Sequence, residues 1–305
     1  MKILVAGSSG LLGTALVESL GASGHTVCRL LRPQSVSGTP APRTSVAVRW
    51  DPKTGELEGA AAGADAVVNF AGLSIASGRW TAERKRALYA SRVDATRELV
   101  KAAGELKPRP RVLISASAVG YYGSRGEEEL TEDSSCGDGF LSGLARDWEE
   151  QALRGEDLQM RVVCLRFGVV LAKNGGALQR MLLPFRWGAG GRLGSGNQWM
   201  SWLTLGEAVS MVRFALDNET VRGPVNAVSP NPARNREFTA ALARALHRPA
   251  ILPAPAFALR LALGEMADAL LVSSQRAVPW KLLALDYPFV HPDLAGALAG
   301  VLAEK

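Results

Sequence analysis

The chain has 305 residues, 47% hydrophobic and 21% charged, enough apolar material for one large domain or two modest ones; a disordered chain is excluded. Its net charge of +6 comes from basic residues scattered among acids, with no basic run interleaved with aromatics. An anionic small molecule is therefore expected as partner, not nucleic acid.

The three cysteines, Cys28, Cys136 and Cys164, are odd in number and lack metal-ligand spacing, so they read as reduced thiols of a cytoplasmic protein. The opening apolar run is too short for a secretory leader. The most apolar late stretch, Ala250 to Val272, is interrupted by Arg260, Glu265 and Asp268, so no membrane span is expected. His25, His247 and His291 lie far apart, and no metal is expected.

In chain order, Ile3 to Ala6 reads as a strand and Leu11 to Leu20 as a helix closed by Gly24, with a second strand over Thr26 to Leu31. Strands follow at Val46 to Trp50 and Ala66 to Phe70, then a long helix from about Thr81 to Glu105. A strand at Val112 to Ser115, a helix from about Gly139 to Leu153 and a strand at Val162 to Phe167 complete the alternation. Short apolar strands between amphipathic helices predict an α/β fold, a doubly wound parallel sheet covered on both faces. Beyond Gly168, glycines and prolines break the pattern. Residues 1–167 are read as a cofactor-binding domain and 168–305 as a smaller substrate-binding region, with about 200–228 returning to the first domain.

Gly7, Gly10 and Gly13 form GxxGxxG between the first strand and the first helix. The first glycine allows a tight exit from the strand, the second close approach to a pyrophosphate, and the third close packing of the helix on the sheet. Ser9, Leu11 and Leu12 complete this phosphate-facing turn, where unpaired N–H groups begin the helix. At the end of the second strand an acid would select NAD, and an arginine would accept the 2′-phosphate of NADP. Arg32 stands there, with Arg29 or Ser35 as helper and no acid before Asp51, so NADP(H) is expected. The alternative is an ordinary solvated arginine at a strand end.

"GSSGLLG", "VVNFAG" at 67–72, "LISASAVGYYG" at 113–123 and "RFGVVL" at 166–171 resemble the extended short-chain dehydrogenase/reductases, the superfamily of sugar-nucleotide epimerases and dehydratases. More narrowly, "WTAERKRALYASRVDATRELV", "GFLSGLARDWEEQA", "LLPFRWGAGGRLGSGNQWMSW" and "PWKLLALDYPFVHPDLAGAL" resemble the atypical epimerase family protein group, whose members carry a C-terminal domain of unknown function. The resemblance covers nearly the whole chain. It implies an NADP-binding Rossmann fold, with Asn69, Ala71 and Gly72 beside the cofactor at the end of the fourth strand. A polar side chain and two small residues suit that place; the alternative is a plain strand-to-helix turn.

The wider superfamily uses a Tyr-x-x-x-Lys pair, whose members share one helix face and exchange a proton while hydride moves. By resemblance, those positions fall here on Phe140 and Leu144, and no lysine occurs between Lys107 and Lys173. Ser115 and Ser117 close the fifth strand. The resemblance matches Ser117 to the active-site serine, offers Tyr122, with Tyr121 as its competitor, as a phenol for the pocket, and puts Arg92 where an asparagine is usual. An arginine there would depress a phenol's pKa or grip an anion; otherwise it pairs with Asp94 or Glu98. Phe185, Trp187, Trp199, Met200 and Trp202, with Arg186 and Arg192, suggest a pocket for a planar or phosphorylated ligand, or else a core hairpin.

Two functions follow. One is an NADP(H)-dependent oxidoreductase or epimerase-like enzyme using Ser117, Tyr122 and Arg92 on a small, anionic or hydroxylated substrate; a homodimer is compatible with it. The other is a non-catalytic NADPH-binding sensor or regulatory module.

Overall fold

A computed structural model describes residues 1–33 and 45–303. Runs of apolar, often β-branched residues make the sheet strands, because a strand buried on both faces has no polar side to present. These are β1 (Lys2–Ala6), β2 (Thr26–Leu31), β3 (Ser45–Arg49), β4 (Ala66–Asn69), β5 (Val112–Ala118), β6 (Arg161–Phe167) and β7 (Gly223–Ala227). They form one seven-stranded parallel sheet in the order β3-β2-β1-β4-β5-β6-β7. The chain runs outward from β1 to β3 and then crosses back to start β4 on the other side of β1. This reversal opens a crevice at the carboxyl ends of β1 and β4, where open α/β sheets bind ligands.

Helix α1 (Leu11–Ala22) packs beside α6 (Leu205–Asp217), with Arg213 Nη1 donating to Ser19 Oγ at 3.0 Å. Ile3, Val5, Leu16, Leu20, Met211 and Val212 are all buried in the core that these helices share with the sheet. Helices α3 (Ala95–Glu105) and α4 (Phe140–Leu153) pack against each other, and Leu4, Ala6, Leu99, Val100 and Leu113 fill a second core. Each large aliphatic side chain buried this way contributes roughly 1.5–3 kcal/mol relative to exposure.

The single helix expected from about Thr81 to Glu105 is interrupted. Thr81 caps α2 (Ala82–Tyr89) by accepting from the Arg84 amide, and a π-helical turn, Ala90–Asp94, then joins α2 to α3. The widened turn brings both Arg92 and Val93 to the interior. The fifth strand also runs further than Ser115, so Ser117 lies inside it, paired in register with Arg166 of β6.

Beyond β6, a strand at Val169–Ala172 pairs in parallel with Trp202–Thr204. With α5 (Gly176–Arg186), α7 (Asn235–Ala245) and the helix Leu294–Ala303, they enclose a third core containing Leu178, Phe185, Trp202, Phe238 and Leu298. The aromatic residues of this region therefore do not line one pocket. Phe185 and Trp202 are core, Trp187 is 81% exposed, and Trp199 carries the guanidiniums of Arg234 and Arg276 at 4.5 and 4.9 Å from its ring centre. Arg186 and Arg192 are exposed. Burial of the largest rings in a core of their own outweighs any local tendency to cluster at a cleft. Among the described residues, no helix is long and apolar enough to cross a membrane.

Candidate functional site

The turn after β1 shows which glycines the protein itself requires. A Cβ on Gly7 would lie 2.4 Å from the Phe70 carbonyl oxygen, and Gly7 has a φ of +74°, so the exits of β1 and β4 touch through a residue that must be glycine. A Cβ on Gly13 would lie 2.1 Å from the Gly7 carbonyl oxygen, so helix and turn are in backbone contact. Gly10 differs. A Cβ there would meet only the Gly7 carbonyl oxygen, at an ordinary 3.4 Å, and its backbone (φ −79°, ψ 173°) is open to any residue.

Gly10 is the exposed N-cap of α1, with no side-chain cap and no acid in the first turn. Leu11 and Leu12, half-buried, begin the helix beside exposed Ser9. The N–H end of α1 is thus bare, open and free of competing negative charge, as an anion-binding turn requires. Ser8, absent from the sequence reading, is 3% exposed and its Oγ has no hydrogen-bond partner among the described residues. An unsatisfied buried hydroxyl in this turn fits a ligand that supplies the missing bond.

The other wall of the crevice is built from inside the sheet. Asn69 Oδ1 accepts from the Ala71 amide at 3.1 Å, while its Nδ2 donates to Thr96 Oγ1 at 2.7 Å and, more weakly, to Ser115 Oγ at 3.5 Å. Trp148 Nε1 donates to the same Thr96 oxygen at 2.8 Å. The side chains of Asn69 and Ser115 are buried, so they shape the Ala71–Gly72 loop from behind and leave its backbone as the crevice surface.

Arg92 reaches this loop from the π-turn. Its Nη2 donates to the Leu73 carbonyl oxygen at 2.8 Å, its Nη1 donates to Ser91 Oγ at 3.3 Å, and its Cζ lies 5.4 Å from the Trp148 ring centre. A Cβ on Gly72 would stand 3.0 Å from that Cζ, so the glycine leaves room for the guanidinium. Only 8% of Arg92 is exposed, and among the described residues no carboxylate lies within ion-pair distance. Asp94 and Glu98 instead bind Arg97. Burial, then the nearby charge of Arg84, pushes the Arg92 pKa down to about 10.

Ser117 and Tyr122 sit in a separate buried network. Ser117 Oγ donates to Glu149 Oε1 at 2.5 Å, and Glu149 takes a bidentate pair from Arg166, with both N–O distances 2.8 Å. Arg166 Nη1 donates onward to the Tyr122 hydroxyl at 2.9 Å, which donates to Asn226 Oδ1 at 2.7 Å. Tyr122 is wholly buried, and burial pushes its pKa up to about 12 against the lowering pull of Arg166. Burial would lower the Arg166 guanidinium, yet the hydrogen bonds and charge of Glu149 hold it above its usual value. The phenol and hydroxyl that the sequence offered for proton transfer are thus committed inside the protein. Tyr121, half-buried, has its ring 3.6 Å from Arg166 Cζ. Glu149 and Arg166 were missed by the sequence reading; a charged residue inside the apolar strand "VVCLRF" was the available signal.

Phe140 opens α4 beside Trp80, the rings 5.3 Å apart edge to face, with Lys85 Nζ 5.1 Å from the Phe140 centre. Leu144, one turn on, is buried core. Arg32 is exposed just past β2, whereas Arg29 is buried within it and its Nε has no partner among the described residues. Ser35 lies outside the described residues. A cavity of about 660 Å³ opens instead at the amino ends of the strands, lined by Asp65, Arg111 and Arg161. It is remote from the carboxyl-end crevice and has no part in the site.

Residues 3–228 match the NAD dependent epimerase/dehydratase family, and 254–301 match a domain of unknown function, DUF1731. Epimerase family protein MT2273 of Mycobacterium tuberculosis is 42% identical over 297 residues, covering 97% of this chain and 96% of the relative. Epimerase family protein YfhF of Bacillus subtilis is 39% identical over 306 residues, covering 100% and 99%. The crystal structure of human epimerase family protein SDR39U1 (isoform2) with NADPH superposes with a TM-score of 0.85 at 33% identity, covering 99% of both chains.

Proposed function

Because the chain belongs to the NAD dependent epimerase/dehydratase family, we propose that it is an NADP(H)-dependent enzyme of the extended short-chain dehydrogenase type, an oxidoreductase or epimerase-like catalyst for a small hydroxylated or carbonyl substrate. The observation that carries this reading is Gly10, where among the described residues a Cβ would meet only the Gly7 carbonyl oxygen, at 3.4 Å, at a helix N-terminus with no side-chain cap. The human relative was crystallised with NADPH, in keeping with this cofactor.

When bound, the nicotinamide supplies or accepts hydride. The amides of Leu11 and Leu12 would hold the pyrophosphate beside exposed Ser9 and Gly10, whose own N–H is bonded to the Gly7 carbonyl oxygen at 3.0 Å and whose part is to leave room for the approach, and Arg32 would take the 2′-phosphate. Asn69 and Ser115 fix the Ala71–Gly72 loop against which the cofactor lies. Arg92 grips or polarises the substrate, since its charge is not neutralised by a carboxylate of the described chain. Ser117 and Tyr122 act as positioning residues that hold the end of β5 through Glu149 and Arg166. With Phe140 and Leu144 in place of the tyrosine and lysine, proton exchange falls to substrate, water or Arg92-held groups.

A second reading, a non-catalytic NADPH-binding module, draws on the same commitment of Ser117 and Tyr122 to buried bonds. Titration of NADPH and NADH, followed by a carbonyl screen for loss of reduced-nicotinamide absorbance, separates them. NADPH binding with turnover supports the enzyme, and binding with no turnover favours the module. Failure to bind either nucleotide refutes both.

A further inference from the structure

Arg92 is not alone. Arg84, two turns earlier, reaches the same segment: Arg92 Nη2 donates to the Leu73 carbonyl oxygen and Arg84 Nη2 to that of the next residue, Ser74, and the charge of Arg84 adds to burial in depressing the Arg92 guanidinium. Arg84 Nη2 donates to the Ser74 carbonyl oxygen and to Ser77 Oγ, both at 2.6 Å, yet its Nε is buried with no acceptor among the described residues. Both guanidiniums therefore bind one short segment, residues 73–77, immediately beyond the Ala71–Gly72 loop. Each carries more N–H donors than these bonds use. Among the described residues, Asp94 and Glu98 bind Arg97, Glu265 binds Lys85, and exposed Glu83 makes no ion pair with either guanidinium.

Two neighbouring positive charges, one nine-tenths buried, repel each other and lose hydration on folding. Holding the loop does not explain the charge, because neutral donors would serve its carbonyl oxygens as well. An anion between the guanidiniums would cancel the repulsion and satisfy the leftover donors, and guanidiniums match planar or tetrahedral oxyanions by bidentate geometry. The cofactor's pyrophosphate has its own turn at Gly10.

We propose that Arg84 and Arg92 form an anion subsite for the substrate, so that the substrate class is a hydroxy or carbonyl compound bearing a carboxylate or phosphate. The proposal rests on the reading of the chain as an NADP(H)-dependent enzyme, and the subsite lies at the crevice rim formed by the segment after β4.

The test uses the full chain with oxalate and inorganic phosphate as probes, at constant ionic strength to remove general screening. Intrinsic tryptophan emission serves as readout, because Arg92 lies 5.4 Å from the Trp148 ring. Saturable binding of oxalate or phosphate is expected, weakened at least tenfold in Arg84→Met and in Arg92→Met and largely retained in Arg92→Lys. NADPH affinity, measured separately, should change less than twofold. If Arg92→Met does not fold, the half-buried Arg84→Met decides. No saturable response in the parent chain, or a response unchanged in the Met variants, overturns the proposal. An equal loss of NADPH affinity also overturns it by assigning the pair to the cofactor. Loss of all nucleotide binding by the parent chain would instead strike at the enzyme reading, leaving the anion titration to be judged on its own.

Discussion

Replacing Gly10 by alanine separates a glycine kept for a ligand from glycines kept for packing. The new Cβ would stand 3.4 Å from the Gly7 carbonyl oxygen, an ordinary contact, and the backbone angles suit alanine. Restricting the unfolded chain stabilises by about 0.4–1 kcal/mol, while alanine is a poorer N-cap by an amount on the order of 1 kcal/mol. The terms oppose, so Gly10→Ala should leave the melting temperature within about 4 °C of the parent. Its methyl group would hold a pyrophosphate away from the helix amides. Losing one charge-assisted hydrogen bond, worth roughly 1.5–3 kcal/mol, weakens NADPH binding by roughly 10- to 150-fold. Gly13→Ala is the contrasting variant: its Cβ would fall 2.1 Å from the Gly7 oxygen and 2.7 Å from Ser8 Cα, and such overpacking costs about 1–3 kcal/mol or more. Urea unfolding and NADPH titration of both variants check this. A folded Gly10→Ala chain with parental NADPH affinity would falsify the assignment of the turn.

Arg32→Ala should weaken NADPH about tenfold and leave NADH unchanged; equal effects on both would remove Arg32 as the 2′-phosphate contact. Glu149→Leu strands the buried Arg166 and should cost about 3–5 kcal/mol in urea unfolding, with the Glu149→Leu/Arg166→Met double variant recovering part of the loss; an additive double variant would deny the coupling. The Tyr122 pKa is raised from the ordinary phenol value to about 12, so the folded state binds this proton more tightly than the unfolded chain does. Its contribution is fully present below about pH 10 and is lost as pH rises through 12, on the order of 3 kcal/mol in all. Tyr122→Phe should flatten that alkaline limb, and an unchanged slope would show that other groups set it.

What was legible in the sequence was local or periodic. The turn "GSSGLLG", the alternation of apolar strands with helices, and Arg32 at a strand end depend on near neighbours, and the alternation sufficed for the doubly wound sheet. The motif resemblance carried the family. The partners of the polar side chains were not legible, because folding joins residues far apart in the chain: Tyr122 meets Asn226, 104 positions away, and Ser117 meets Glu149, 32 positions away. An exposed phenol and a buried one have the same letter. Nor did the helical pattern between Thr81 and Glu105 reveal the π-turn, since one widened turn leaves the apolar spacing on either side nearly intact. Only the tertiary structure decided that Arg92 turns inward with no carboxylate partner among the described residues and that Trp202 is core, because burial and charge compensation belong to the packed whole.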